Sequence, residues 1–133
     1  MTIQQLLVFA LAAVIAVLFL RPLLFGGPRI SAADAAAKLK AGTAVLVDVR
    51  EPGEWRSGVA QPAALLPFSD LRGPRQQWGA FLAKHREKQI ILYCASGLRS
   101  GSAASLLRKE GFTVANLGGF FAWAQAGLPV KKP

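Results

Sequence analysis

A chain of 133 residues holds one ordinary domain with an appendage, and two separate hydrophobic cores would be hard to fill. The net charge of +9 attracts small anions or an anionic surface, yet the lysines and arginines are scattered and interleave with no aromatic motif, which argues against nucleic acid as a partner. One cysteine, Cys94, and one histidine, His85, cannot assemble the three or four ligands of a metal site, and no nucleotide or other cofactor motif is present.

The chain opens on apolar residues without interruption from Leu6 to Leu20. Counted from Ile3, a helix over this run would reach roughly 27 Å, enough for a short membrane span. A secretory signal peptide would need a basic segment before the run and a small-residue cleavage pattern after it, and neither is found. Residues 1–25 are therefore expected to form an uncleaved transmembrane anchor, with 26–30 as a Gly/Pro linker and 31–130 as the folded domain. Arg21, Arg29, Lys38 and Lys40 all follow the run, which predicts a single-pass protein of the plasma (inner) membrane with its domain in the cytoplasm beside the lipid bilayer.

Ser31-Ala32-Ala33-Asp34 has capping-box spacing and opens an alanine-rich helix that Gly42 stops. Ala44 to Val49 is a valine-rich run of the kind found in buried parallel strands. Pro52 to Ser57 suits one helical turn, and Ala63 to Leu66 a short strand. Trp78, Phe81 and Leu82 recur at helical spacing between Arg75 and Lys84, and Gln89 to Tyr93 follows as a third strand. Ser100 to Lys109 reads as a helix ended by Gly111, Thr113 to Leu117 as a strand, and Phe120 to Gln125 as a last helix. This alternation predicts an α/β domain with a mostly parallel central sheet flanked by helices, and a ligand site at the carboxyl ends of the strands.

Cys94 occupies such an end, where the apolar strand gives way to Ala95-Ser96-Gly97-Leu98-Arg99-Ser100. A thiolate is the nucleophilic form of cysteine, and a helix N-terminus or a nearby cation lowers its pKa. Gly97 permits the positive φ that lets successive N–H groups converge on one point, and Arg99 adds a permanent positive charge. The competing reading of Cys94 is an inert buried thiol.

Cys94 to Ser100 resembles the active-site loop of rhodanese-type sulfurtransferases, Cys-x-x-Gly-x-Arg-[Ser/Ala], at every fixed position. The resemblance continues in Val47-Asp48-Val49-Arg50-Glu51 with Glu54-Trp55, and in Asn116-Leu117-Gly118-Gly119-Phe120-Phe121-Ala122-Trp123 with Gly127-Leu128-Pro129-Val130, in the family's order across residues 29 to 130. It implies a rhodanese-like domain whose Cys94 takes a sulfane sulfur from thiosulfate, another small sulfur anion or a persulfide. The Cys94 persulfide then passes that sulfur to cyanide or a thiol. The backbone N–H groups of Ala95, Ser96, Gly97, Leu98 and Arg99, with Ser100, would bind the substrate. Arg99 would brace the loop or bind an anionic donor, with Asp48 or Glu54 as its partner, and Asp48 and Arg50 support the site.

The family's usual Gly-His-Ile-Pro-Gly-Ala reads Gly58-Val59-Ala60-Gln61-Pro62-Ala63 here, so Val59 and Pro62 predict a remodelled turn. Two other readings are set against sulfur transfer. Related cell-division-cycle phosphatases and arsenate reductases enclose a tetrahedral oxyanion with five residues between cysteine and arginine, and this chain has only Ala95 to Leu98. A non-catalytic, membrane-tethered binding module would typically lack the cysteine, which this chain keeps.

Overall fold

The computed structural model describes the backbone of residues 1–25 and 27–133, and the side chains outside 20–26. Helix α1 (Ile3–Phe25) is the apolar run, and its described side chains lie exposed, Leu7 at 64% and Phe19 at 76%. Among the described residues no helix is long and apolar enough to cross a membrane. This corrects the expected transmembrane anchor, and with it the lipid partner and the inner-membrane localisation with a cytoplasmic domain. The side chain of Arg21, used for orientation, and Gly26 of the expected linker lie outside the described residues.

Ser31 caps α2 (Ala32–Ala41) by accepting a hydrogen bond from the Asp34 N–H, and Gly42 ends it at φ 76°. Four strands then build one parallel sheet in the order β3-β1-β4-β5: β1 (Ala44–Asp48), β3 (Ala63–Leu65), β4 (Gln89–Cys94) and β5 (Val114–Gly119). β1, β4 and β5 are short, mostly apolar and almost wholly buried, as strands covered on both faces must be, while β3 at the edge is half-buried. The segment before α2 joins the edge of this sheet, Asn116 N–H donating to the Pro28 carbonyl and Ile30 N–H to the Asn116 carbonyl.

Side-chain alternation along the strands divides the core. Val47, Val49, Ile90, Leu92 and Cys94 face α3 (Phe68–Leu71), α4 (Trp78–Lys84) and α5 (Leu98–Lys109) through Leu71, Trp78, Leu82, Ala103 and Leu107. Leu46, Ile91, Tyr93, Ala115 and Leu117 face α2 and α6 (Phe120–Gln125) through Ala35 and Trp123. Trp78 and Trp123 are core residues, and each indole N–H donates to a carbonyl, of Pro67 and Pro129 respectively. The Trp55 indole nitrogen is buried without a partner.

The segment carrying Val59 contributes β2 (Val59–Ala60) to an antiparallel ribbon with β6 (Val130–Lys131). Val59 is wholly buried there, and the Tyr93 hydroxyl accepts the Ala60 N–H at 2.9 Å. An alternation search sees strands of this length poorly, because two residues carry no period. α3 was missed for a similar reason: it is one turn, following Pro67.

Candidate active site

β4 delivers Cys94 to the carboxyl edge of the sheet, where its side chain is 0% exposed. The chain turns back through Gly97 at φ 97°, a conformation that side chains resist, and this aims the Gly97 N–H at Cys94 Sγ from 3.0 Å. α5 begins at Leu98, two residues earlier than the sequence suggests, so Leu98, Arg99 and Ser100 form its first turn. The unpaired N–H groups and positive dipole end of that turn therefore lie beside the sulfur.

The loop is pressed against the end of β5. A Cβ added to Gly97 would meet Gly118 Cα at 3.2 Å, and one added to Gly119 would meet the Ala95 carbonyl oxygen at 2.5 Å. Asn116, 2% exposed in β5, fastens the same contact. Its Nδ2 donates to the Gly97 carbonyl at 3.2 Å, and its Oδ1 accepts the Gly118 N–H at 2.9 Å and the Ser100 hydroxyl at 2.8 Å. Ser100 Oγ also lies 3.4 Å from Cys94 Sγ.

These contacts decide the state of the thiol. Burial pushes the Cys94 pKa up, but the Ser100 hydroxyl and the N–H groups of Ser100, Gly97 and Ser96 hydrogen-bond to the sulfur, and the net shift is downward. The result is an acidified thiol in a cradle of N–H groups, an arrangement fit for a nucleophile or a bound sulfur anion.

Arg99 turns away from the cradle to Glu54, its two terminal nitrogens each donating to a carboxylate oxygen at 2.7 Å. The hydrogen bonds from Arg99 hold the Glu54 carboxyl down at about 2 against the opposing effect of burial, helped by the Glu51 N–H and the charges of Arg99 and Arg50. Arg99 is correspondingly raised, chiefly by Glu54, and it also feels the charge of Cys94. Glu54 thus takes the role for which Asp48 was the other candidate.

Asp48 pairs instead with Arg50, which reaches Asp48 Oδ2 at 2.8 Å with both residues buried. Burial opposes the Arg50 cation, but hydrogen bonding and charge from Asp48 prevail, so its pKa is raised. Arg50 also donates to the carbonyls of Gly58 and Glu54 and lies 4.8 Å from the Phe120 ring centre. The pair therefore positions the 3-10 turn Pro52–Ser57 that carries Glu54, and its hydrogen bonds go nowhere near the sulfur.

Of the candidate residues, Cys94, Gly97 and Ser100 converge on one point. Ala95, Ser96 and Leu98 turn their side chains to solvent, Leu98 at 79%, and only their backbone serves the loop. Asn116 was not singled out in the sequence as a site residue, although an asparagine within the apolar stretch Val114 to Leu117 was the available signal. Among the described residues no three histidine, cysteine or acidic side chains gather as a metal would require.

Known proteins are similar to this chain in sequence and fold. A sulfurtransferase of Allochromatium vinosum is 36% identical over 91 residues, covering 67% of this chain and 79% of its own. A tRNA uridine(34) hydroxylase of Citrobacter koseri is 30% identical over 111 residues, 79% of this chain but 32% of its own length. The crystal structure of a rhodanese-related protein from Thermoplasma volcanium superimposes with a TM-score of 0.68 at 30% identity, over 80% of this chain and all of that one. Other relatives are longer, and the chain spans 47% and 60% of two uncharacterised bacterial proteins that it matches. The sequence model of the rhodanese-like domain matches residues 31–126, and the chain belongs to that family.

Proposed function

We propose that the protein is a sulfurtransferase carrying sulfur on Cys94. The Cys94 thiolate attacks the outer sulfur of a donor R–S⁻, forming an S–S bond as the bond from that sulfur to R breaks. With thiosulfate the leaving group is sulfite, which departs with the bonding electron pair. The resulting Cys94 persulfide anion gives its outer sulfur to cyanide or a thiolate, and the Cys94 thiolate is regenerated. Dividing the transfer this way replaces one difficult step by two easier ones. The observation that supports this reading is the set of N–H and hydroxyl donors on Sγ that lowers the Cys94 pKa despite complete burial. Four residues between Cys94 and Arg99 make a smaller cradle that suits a sulfur atom better than a tetrahedral oxyanion.

The full-length chain incubated with thiosulfate and then cyanide should release thiocyanate, and intact-mass analysis before cyanide should show a gain of about 32 Da that Cys94→Ser abolishes. One observation favours a non-catalytic binding module, the complete burial of the Cys94 side chain. A folded protein that gains no sulfur from thiosulfate or from a hydropersulfide would establish that reading instead.

A further inference from the structure

The loop from Cys94 to Ser100 contains one cation, Arg99, and the structure does not leave it available. Both terminal guanidinium nitrogens are spent on Glu54 in a two-pronged pair at 2.7 Å each. Glu54 is itself fixed, since its Oε2 also accepts the Glu51 N–H at 2.9 Å and its carbonyl accepts Arg50 Nη1 at 3.3 Å. Glu51 is fixed in turn by Ser69, whose N–H and hydroxyl donate to its carboxylate at 3.2 and 2.9 Å. The pair is only partly exposed, 33% for the Arg99 side chain and 37% for Glu54. An arginine held by both prongs has little geometry left for a second anion. Arg99 also feels the charges of Cys94 and Glu51, so a donor entering there meets one engaged cation and two carboxylates.

We propose that Glu54 is a specificity-determining residue: by occupying Arg99 it turns the loop away from the thiosulfate dianion and toward sulfur donors of low net charge, such as the hydropersulfide of a small or protein-bound thiol. This rests on the sulfurtransferase reading and narrows it to a donor class. Glu54 acts through Arg99, as a positioning residue, and touches neither sulfur.

The test measures donor kinetics on the full-length chain and its Glu54→Gln variant with three donors: thiosulfate, a dianion; benzenethiosulfonate, a monoanion; and cysteamine hydropersulfide, whose ammonium balances its ionised sulfur. Each gives its outer sulfur to the Cys94 thiolate, with sulfite, benzenesulfinate or cysteamine thiolate leaving. Glutamine keeps the shape and removes the charge, so kcat/KM should rise about tenfold for thiosulfate, about threefold for the monoanion and least for the zwitterion, with the change in KM. Arg99→Gln should reverse the ranking by leaving Glu54 unneutralised. An equal change for all three donors, or none, overturns the proposal.

A second arm needs no sulfur transfer. The ratio of Cys94 alkylation rates by anionic iodoacetate and uncharged iodoacetamide should rise in Glu54→Gln. If no donor loads the wild type while this ratio rises, the sulfurtransferase reading fails and the charge control stands. A ratio unchanged in the folded variant overturns the charge control itself.

Discussion

Ser100 carries one hydroxyl hydrogen and has three acceptors in reach of it, one of them the Gly118 carbonyl at 3.4 Å. Asn116 Oδ1 lies at 2.8 Å and Cys94 Sγ at 3.4 Å. With the thiol protonated, the shorter bond to Asn116 wins. Once the thiolate forms, a hydrogen bond to its charge is the stronger, and Asn116 Oδ1 retains the Gly118 N–H when the hydroxyl swings away. Ser100→Ala removes the hydroxyl from both states. A bond to a charged group contributes about 1.5–3 kcal/mol, and losing a neutral one at Asn116 returns about 1, so the thiolate is worse off by about 1 kcal/mol net. Below the pKa that is about a fivefold smaller thiolate fraction.

Iodoacetamide alkylation of Cys94, followed by intact mass across a pH series, reads this out. The variant should react about fivefold more slowly at pH values below the thiol pKa, and the two curves should converge at alkaline pH, where both thiols are ionised. The sign follows from the direction of the shift. The folded thiol is more acidic than an ordinary one and loses its proton first on raising pH, so removing a thiolate donor moves the variant curve to higher pH. A rate ratio that is constant with pH would refute the reasoning, because it would show that Ser100 controls access to the sulfur and not its acidity.

Two further substitutions test the scaffold under the loop. Gly119→Ala places a Cβ 2.5 Å from the Ala95 carbonyl oxygen, which is backbone and has no flexible end to yield. Cys94 should lose its acidity, seen as the same alkylation curve moved to higher pH, with a lowered melting temperature; a wild-type curve would show that the loop is held from elsewhere. Asp48→Ala leaves Arg50 buried at 5% exposure without its ion-pair partner, which should cost about 3–5 kcal/mol in urea unfolding. A loss below about 1 kcal/mol would mean that the Gly58 and Glu54 carbonyls suffice to hold Arg50.

The parallel sheet and the Cys94 loop were legible because each is written locally. Apolar runs such as Ala44 to Val49 and Gln89 to Tyr93 carry their own signal, and Cys94, Gly97 and Arg99 lie within six residues. What the sequence left undecided depends on contacts between distant segments. Asp48 ends β1 and Glu54 follows it, and both are acidic and can reach a cation. Only the folded backbone shows that the Asp48 carboxylate is taken by Arg50, two residues on, which leaves Glu54 to Arg99 across 45 positions. Asn116 was illegible as a site residue because its partners Gly97 and Ser100 come from another element. The apolar N-terminus misled in the opposite way: composition alone spoke for a membrane span, whereas among the described residues no helix is long and apolar enough to cross a membrane.

The contacts that make Cys94 acidic are also those that hide it. The inner side of the loop is bolted down by Gly97 on Gly118, Ala95 on Gly119 and Asn116 on the Gly97 carbonyl. Its outer side is free, with Ala95, Ser96 and Leu98 exposed. Movement on the outer side, where Ser96 and Leu98 lie, passes to Gly97 between them, and lifting Gly97 breaks its contact with Gly118 and withdraws the N–H that bonds Sγ at 3.0 Å. Each N–H withdrawn makes the sulfur more accessible and less ionised at once, so reactivity is the product of two opposing quantities and is greatest at a partial opening. On the proposed sulfur-transfer route a Cys94 persulfide would relieve this opposition, because its outer sulfur, bonded about 2.05 Å from Sγ, would carry the charge while the inner donors stay on Sγ.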